Sequence, residues 1–142
     1  MTGRFIDCEV RVTVPATSAN LGPGFDTLAL ALDLRDSYTA SVAESGLHIE
    51  VSGPHSDGVP IDESHLVFRA MLHAFEAMHV TPPPLRLSCA NFIPHARGLG
   101  SSAAAIVGGI ALARGLVARG EVLLDEDAVF SLASDLEGHP DN

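Results

Sequence analysis

Polar and apolar residues alternate from Cys8 to Val14, which puts Val10, Val12 and Val14 on one side of an extended chain, the mark of a half-buried strand. Pro15 to Gly24 is crowded with turn formers (Pro15, Asn20, Gly22, Pro23 and Gly24) and reads as a loop excluded from sheet or helix interiors. From Phe25 to Leu34 the leucines 28, 30, 32 and 34 recur at every second position, a pattern ambiguous between helix and strand. Asp36 to Ala43 and Leu47 to Val51 alternate in the same way. Short strands in succession favour an antiparallel arrangement, so Phe25 to Leu34 is taken as a strand as well.

The period then changes. Gly53 to Val59 is a loop, and Ser64 stands where an N-cap belongs. Leu66, Val67, Ala70, Met71, Ala74, Phe75 and Met78 follow at helical spacing, and Pro82, Pro83 and Pro84 end the pattern. Leu85 to Cys89 reads as a strand. Ser101 to Ala118 is apolar on nearly every side, as befits a helix in the centre of a domain. Asp125 caps a last helix with Glu126 and Asp127 in its first turn, an apolar stripe of Val129, Leu132, Ala133 and Leu136, and Gly138 and Pro140 to close it. The chain has no repeat or low-complexity tract. It stops at Asn142 inside a polar segment that looks functional, so a fragment is expected.

Composition narrows the chemistry. One domain fits 142 residues, and 46% hydrophobic against 18% charged residues supports a real core. A net charge of −10 argues against a nucleic-acid or anionic-membrane partner. All eight bases are arginine, so lysine Schiff bases and a Walker-type phosphate lysine are excluded within these residues. Cys8 and Cys89 show no ligand spacing and read as reduced core fillers. His48, His55, His73 and His79 read as surface residues. No secretory pattern opens the chain, and Ala103 to Ala113 is far shorter than the roughly 20 residues that span a bilayer. The expectation is a soluble, cytoplasmic protein.

Three segments carry candidate chemistry. Pro94, His95, Ala96, Arg97, Gly98, Leu99, Gly100, Ser101, Ser102, Ala103 and Ala104 lie between a strand and the central helix. The glycines allow a sharp turn and close approach of a ligand, and the helix start presents unpaired N–H groups at the positive end of the dipole. Such a site holds a phosphate without lysine, with Arg97 and a divalent cation adding positive charge. The spacing matches neither the Walker nor the Rossmann glycine pattern, and its bland reading is a tight strand–helix turn. The second segment, Pro15 to Asp26, sets Asn20 and Asp26 on a glycine–proline loop that could grip the ammonium and hydroxyl of a small polar substrate; the plain alternative is an Asx turn. The third, Glu137 to Asn142, packs acids and an amide that suit magnesium and its phosphate ligands, or else simply ends a helix.

In this order the three segments resemble the GHMP kinases, and within them the homoserine kinases. The resemblance implies an α+β fold similar to domain 2 of ribosomal protein S5, with a mixed or antiparallel sheet packed with helices. Residues 1–142 would be the N-terminal, ATP-binding domain, and the C-terminal domain would be absent. It implies ATP-dependent phosphorylation of the side-chain hydroxyl of L-homoserine to O-phospho-L-homoserine, on the way to threonine. By the same resemblance, ATP phosphates lie on Pro94 to Ala104, and His65 and Val67 contact adenine; relatives often carry asparagine where His65 stands. Ser102 and Glu137 hold Mg²⁺, Asn20, Asp26 and Asn142 bind homoserine, and Asp141 is the nearest candidate for a catalytic base. The partners implied are L-homoserine and ATP, with neither nucleic acid nor membrane, and a homodimer is compatible with the family. The 142 residues alone are expected to be inactive. The alternatives are another GHMP small-molecule kinase, of mevalonate or shikimate type, and a non-catalytic nucleotide-binding or assembly module.

Overall fold

A computed structural model describes residues 5–19, 21–22 and 28–138. Strands β1 (Val10–Ala19), β2 (Ala29–Val42), β3 (Leu47–Ser52) and β4 (Leu85–Ala90) form one sheet in the order β1-β2-β4-β3. Helices α1 (Leu66–Ala77), α2 (Ser101–Leu116), α3 (Gly120–Leu123) and α4 (Glu126–Glu137) complete the described chain. The architecture is α+β with a mixed sheet, as the sequence implied.

Several strand expectations need correction. Pro15 to Ala19 is not loop but the second half of β1, paired antiparallel with β2 from Pro15 opposite Arg35 to Ala19 opposite Ala29. Proline is tolerated here because β1 is an edge strand and the register shifts between Pro15 and Thr17, so the missing N–H breaks no regular ladder. Asn20 and residues 23–27 lie outside the described residues, and with them the rest of that loop and the first residues of the Phe25 to Leu34 strand. Beyond them the two expected strands are one, since β2 runs unbroken for 14 residues. The antiparallel expectation holds for β1 with β2 and for β2 with β4. It fails for β3, which pairs parallel with β4 from Leu47 opposite Leu85 to Ser52 opposite Ala90. Helix α1 makes the crossover that a parallel pair requires.

Alternation along β2 and β4 buries Tyr38, Ala40, Leu85, Leu87 and Cys89, and α1 covers them with Val67, Ala70, Met71, Ala74 and Phe75. Helix α2 is the central element, buried through most of its length. It packs this closely because Gly108 and Gly109 carry no Cβ: a methyl at Gly108 would collide with the Tyr38 ring, and one at Gly109 with the Val67 carbonyl.

The N-cap of α1 is His65, not Ser64: its Nδ1 accepts from Val67 N–H at 3.2 Å, while the Ser64 amide and hydroxyl both donate to Asp62. Nor do the prolines end this helix. His79 turns left-handed at φ 57, letting His79 N–H reach Glu76 O and Val80 N–H reach Phe75 O, the pairing of a Schellman cap. Asp125 caps α4 as expected, accepting from Ala128 N–H at 2.9 Å. The short α3 had no signal in the periodicity. Cys89 is in the core, but Cys8 is exposed, because it precedes β1 in a bend outside the packed layers. No described helix is long and apolar enough to cross a membrane.

Candidate active site

The segment after β4 reverses direction through alternate left-handed residues: Ala96 at φ 55, Gly98 at 72 and Gly100 at 72. Alanine is uncommon there, so its backbone carries local strain of the kind that clusters at functional turns. Gly100 is the N-cap of α2 and provides no side-chain cap. The first helical bond runs from Ala104 N–H to Gly100 O at 2.9 Å, leaving the amides of Ser101, Ser102 and Ala103 facing out of the helix end. The positive end of the dipole adds to them, and the exposed Arg97 stands in the same loop.

The loop is tied down on three sides. Thr17 N–H donates to Leu99 O at 3.0 Å, and His95 Nε2 lies 2.9 Å from His55 O. At its root, Phe92 and Ile93 N–H donate to Asp36 Oδ1 at 2.7 and 2.8 Å. Tyr38 donates its hydroxyl to Asp36 Oδ2 at 2.8 Å.

At the end of α4, Glu137 meets the start of α2. The Ser102 hydroxyl donates to Glu137 at 2.7 Å from Oε1 and 3.0 Å from Oε2. A hydroxyl and a carboxylate at the rim of an amide-lined anion site form the all-oxygen donor pair that magnesium takes, with phosphate oxygens completing its shell. The residues present therefore fit the group.

Beside this helix end opens a cavity of about 440 Å³. His65, Val67, His95, Ser101 and Ser102 all line it, together with Asp36, Tyr38, Asn91 and the Asp57 to Pro60 loop. His65 is buried, and among the described residues its Nε2 has no hydrogen-bond partner. Because Nδ1 accepts from Val67 N–H, the neutral ring carries its proton on Nε2. Burial pulls the His65 pKa below its ordinary value, opposed in part by nearby Asp62. Burial and the Asp36 carboxylate push the Cys89 thiol up to about 12 and raise the Tyr38 hydroxyl strongly. Both therefore stay protonated.

Of the residues singled out in the sequence, the fold brings His65, Val67, His95, Ser101 and Ser102 to one cavity and Glu137 to its edge. Pro94, Ala96, Arg97, Gly98, Leu99 and Gly100 form the adjoining loop, and Ala103 and Ala104 the first turn of α2. Asn20, Asp26, Asp141 and Asn142 lie outside the described residues. Sequence reasoning missed Asp36, Tyr38 and Asn91. For Asp36 a signal existed, since it keeps step with Leu34, Tyr38 and Ala40 on the inward face of β2, an odd place for an acid.

The GHMP kinases N terminal domain model matches residues 65–142, more than half of the chain, and the chain belongs to the GHMP kinase family. Among curated relatives, the homoserine kinase of Streptomyces coelicolor is 55% identical over 138 residues, covering 97% of this chain and 45% of the relative. The candidate homoserine kinase ThrB of Listeria monocytogenes has a solved structure that superposes with a TM-score of 0.77 at 39% identity, over 95% of this chain and 45% of that one. The homoserine kinase of Cytophaga hutchinsonii superposes at 0.72 with 26% identity, over 93% and 41%. The chain thus spans slightly less than half the length of the relatives it matches.

Proposed function

We propose that this chain is the ATP-binding part of a homoserine kinase, which transfers the terminal phosphoryl group of ATP to the side-chain hydroxyl of L-homoserine. One observation carries the reading: the uncapped start of α2, with the Ser102 and Glu137 oxygens at its rim, opens beside a cavity of about 440 Å³ that can take the rest of a nucleotide. Relatives at more than half identity, named homoserine kinases, support the choice of acceptor. The alternation of left-handed residues and the three ties on the loop supply what phosphoryl transfer asks of a protein, which is alignment and neutralisation of charge rather than covalent chemistry.

In this mechanism the Ser101, Ser102 and Ala103 amides hold phosphate oxygens, and His65 and Val67 border the base. Ser102 and Glu137 would hold Mg²⁺, which neutralises phosphate charge when bound. Asn20, Asp26 and Asn142 grip homoserine, with Asp26 facing its ammonium group. The homoserine hydroxyl oxygen bonds to the terminal phosphorus as the bond to the ADP oxygen breaks. The hydroxyl proton leaves to Asp141 or to the transferred phosphoryl group. An ATP-dependent amino-acid kinase belongs in the cytoplasm.

The test is ADP release by the complete natural polypeptide, offered L-homoserine, mevalonate and shikimate in turn. Homoserine alone should drive release, and Ser102→Ala should lower kcat by about tenfold or more while leaving the fold intact. Release driven by another alcohol would move the protein to a different kinase of the family. No release with any alcohol, despite tight nucleotide binding, would favour a non-catalytic module. Residues 1–142 assayed alone should release no ADP.

A further inference from the structure

Asp36 takes no part in that mechanism, yet it is an acid only 2% exposed in the wall of the cavity. Burying a carboxylate is strongly unfavourable unless its oxygens are hydrogen-bonded. Here three neutral donors satisfy it: the Phe92 and Ile93 amides on Oδ1 and the Tyr38 hydroxyl on Oδ2. Phe92 and Ile93 are the two residues just before Pro94, where the chain turns into the glycine loop. The fully buried Ile93 side chain anchors one of these two residues, but Phe92, 44% exposed, has no such anchor. The His95 to His55 tie is exposed, and the Thr17 to Leu99 tie meets the loop further on, past its root. Asp36 accepts from both of these backbone amides at once, so it is the side-chain tie that sets their direction at the root of the loop.

Resting on the reading of residues 94–104 as the phosphate loop of ATP, we infer that Asp36 is a positioning residue of the nucleotide site. Its carboxylate fixes the point and direction at which the loop leaves the sheet, and so the place of the phosphate-binding amides at the start of α2. It does so through its hydrogen bonds to the Phe92 and Ile93 amides rather than by binding the phosphates, which it would repel. A carboxylate serving stability alone would leave the affinity of the folded enzyme unchanged when removed.

The test uses the complete natural polypeptide, with ATP affinity by calorimetry and KM for ATP and for the alcohol measured separately. In Asp36→Asn the remaining oxygen still accepts both amides and the new NH₂ faces the Tyr38 oxygen, so the KM for ATP should stay within about threefold of wild type. Asp36→Ala should weaken ATP by about tenfold or more while the KM for the alcohol changes little. Tyr38→Phe removes one donor but leaves both amide ties, so it should lower Tm by less than Asp36→Ala does. Should Asp36→Ala fail to fold, hydrogen exchange on the wild type decides: the Phe92 and Ile93 amides should be protected before any nucleotide is added. Rapid exchange at those amides, Asp36→Ala binding ATP as tightly as wild type, or Asp36→Asn losing as much as Asp36→Ala would each overturn the positioning role. A wild type that binds no ATP removes the kinase reading itself. A wild type that binds, beside an Asp36→Ala that binds equally, removes this role alone.

Discussion

Protonating His65 would take away the nitrogen lone pair that receives Val67 N–H and leave a charge in the core. Burial keeps its folded pKa below the ordinary 6.5, so above that pH the residue is neutral in both states and contributes no pH dependence. As pH falls below 6.5 the unfolded chain takes up the proton first and the folded state is disfavoured, with a slope that can reach about 1.4 kcal/mol per pH unit for one proton. Asparagine can cap the same amide through its side-chain oxygen without titrating. His65→Asn should therefore lose less stability than wild type in urea titrations run from about pH 7 down to about pH 5. Parallel losses in the two proteins would show that His65 is not the group responsible. The capping role was hidden in the sequence because Ser64 is the better capping residue by type; the Asp62 carboxylate engages Ser64 and leaves the next position to cap. Asp36 was legible in principle, through its inward phase on β2 and Tyr38 two positions on, but the two amides that tie it to the loop come from residues 56 and 57 positions away. No local pattern carries that information.

At the scale of elements, period revealed most elements with one face on the core, while punctuation misled at both ends of α1 and at Pro15 to Ala19. The central helix was legible from its apolar surround, and the start of α4 from Asp125. Partner choice was not, because the sheet order depends on α1 crossing over to set β3 beside β4, a long-range outcome of packing. The separation of α1 and α2 is fixed by another detail of that packing. A Cβ on Gly109 would meet the Val67 carbonyl oxygen and the Ala70 Cβ, atoms of α1 that can only yield if the helix moves. Gly109→Ala should cost about 1–3 kcal/mol in chemical denaturation. Because Val67 lines the cavity, the shift should also weaken nucleotide binding. An alanine variant with wild-type stability would mean that the two helices approach less closely than described.

The 142 residues carry a net charge of −10, while the proposed function asks their candidate site to hold a polyphosphate. On that proposal positive potential would have to be local, from the amides at the start of α2, the helix dipole, Arg97 and a cation when one binds. The open helix start was readable from the glycine spacing, and the absence of lysine left backbone groups and arginine as the candidates for that task. The cavity beside it was not readable, because its walls come from β2, α1, α2, the loop after β3 and the segment after β4. The most direct measurement is a crystal structure of the complete natural polypeptide with magnesium and a non-hydrolysable ATP analogue. The β- and γ-phosphate oxygens should lie within hydrogen-bond reach of the Ser101, Ser102 and Ala103 amides, with the metal between them and Ser102 and Glu137. Phosphates bound elsewhere, with the start of α2 empty, would contradict the account.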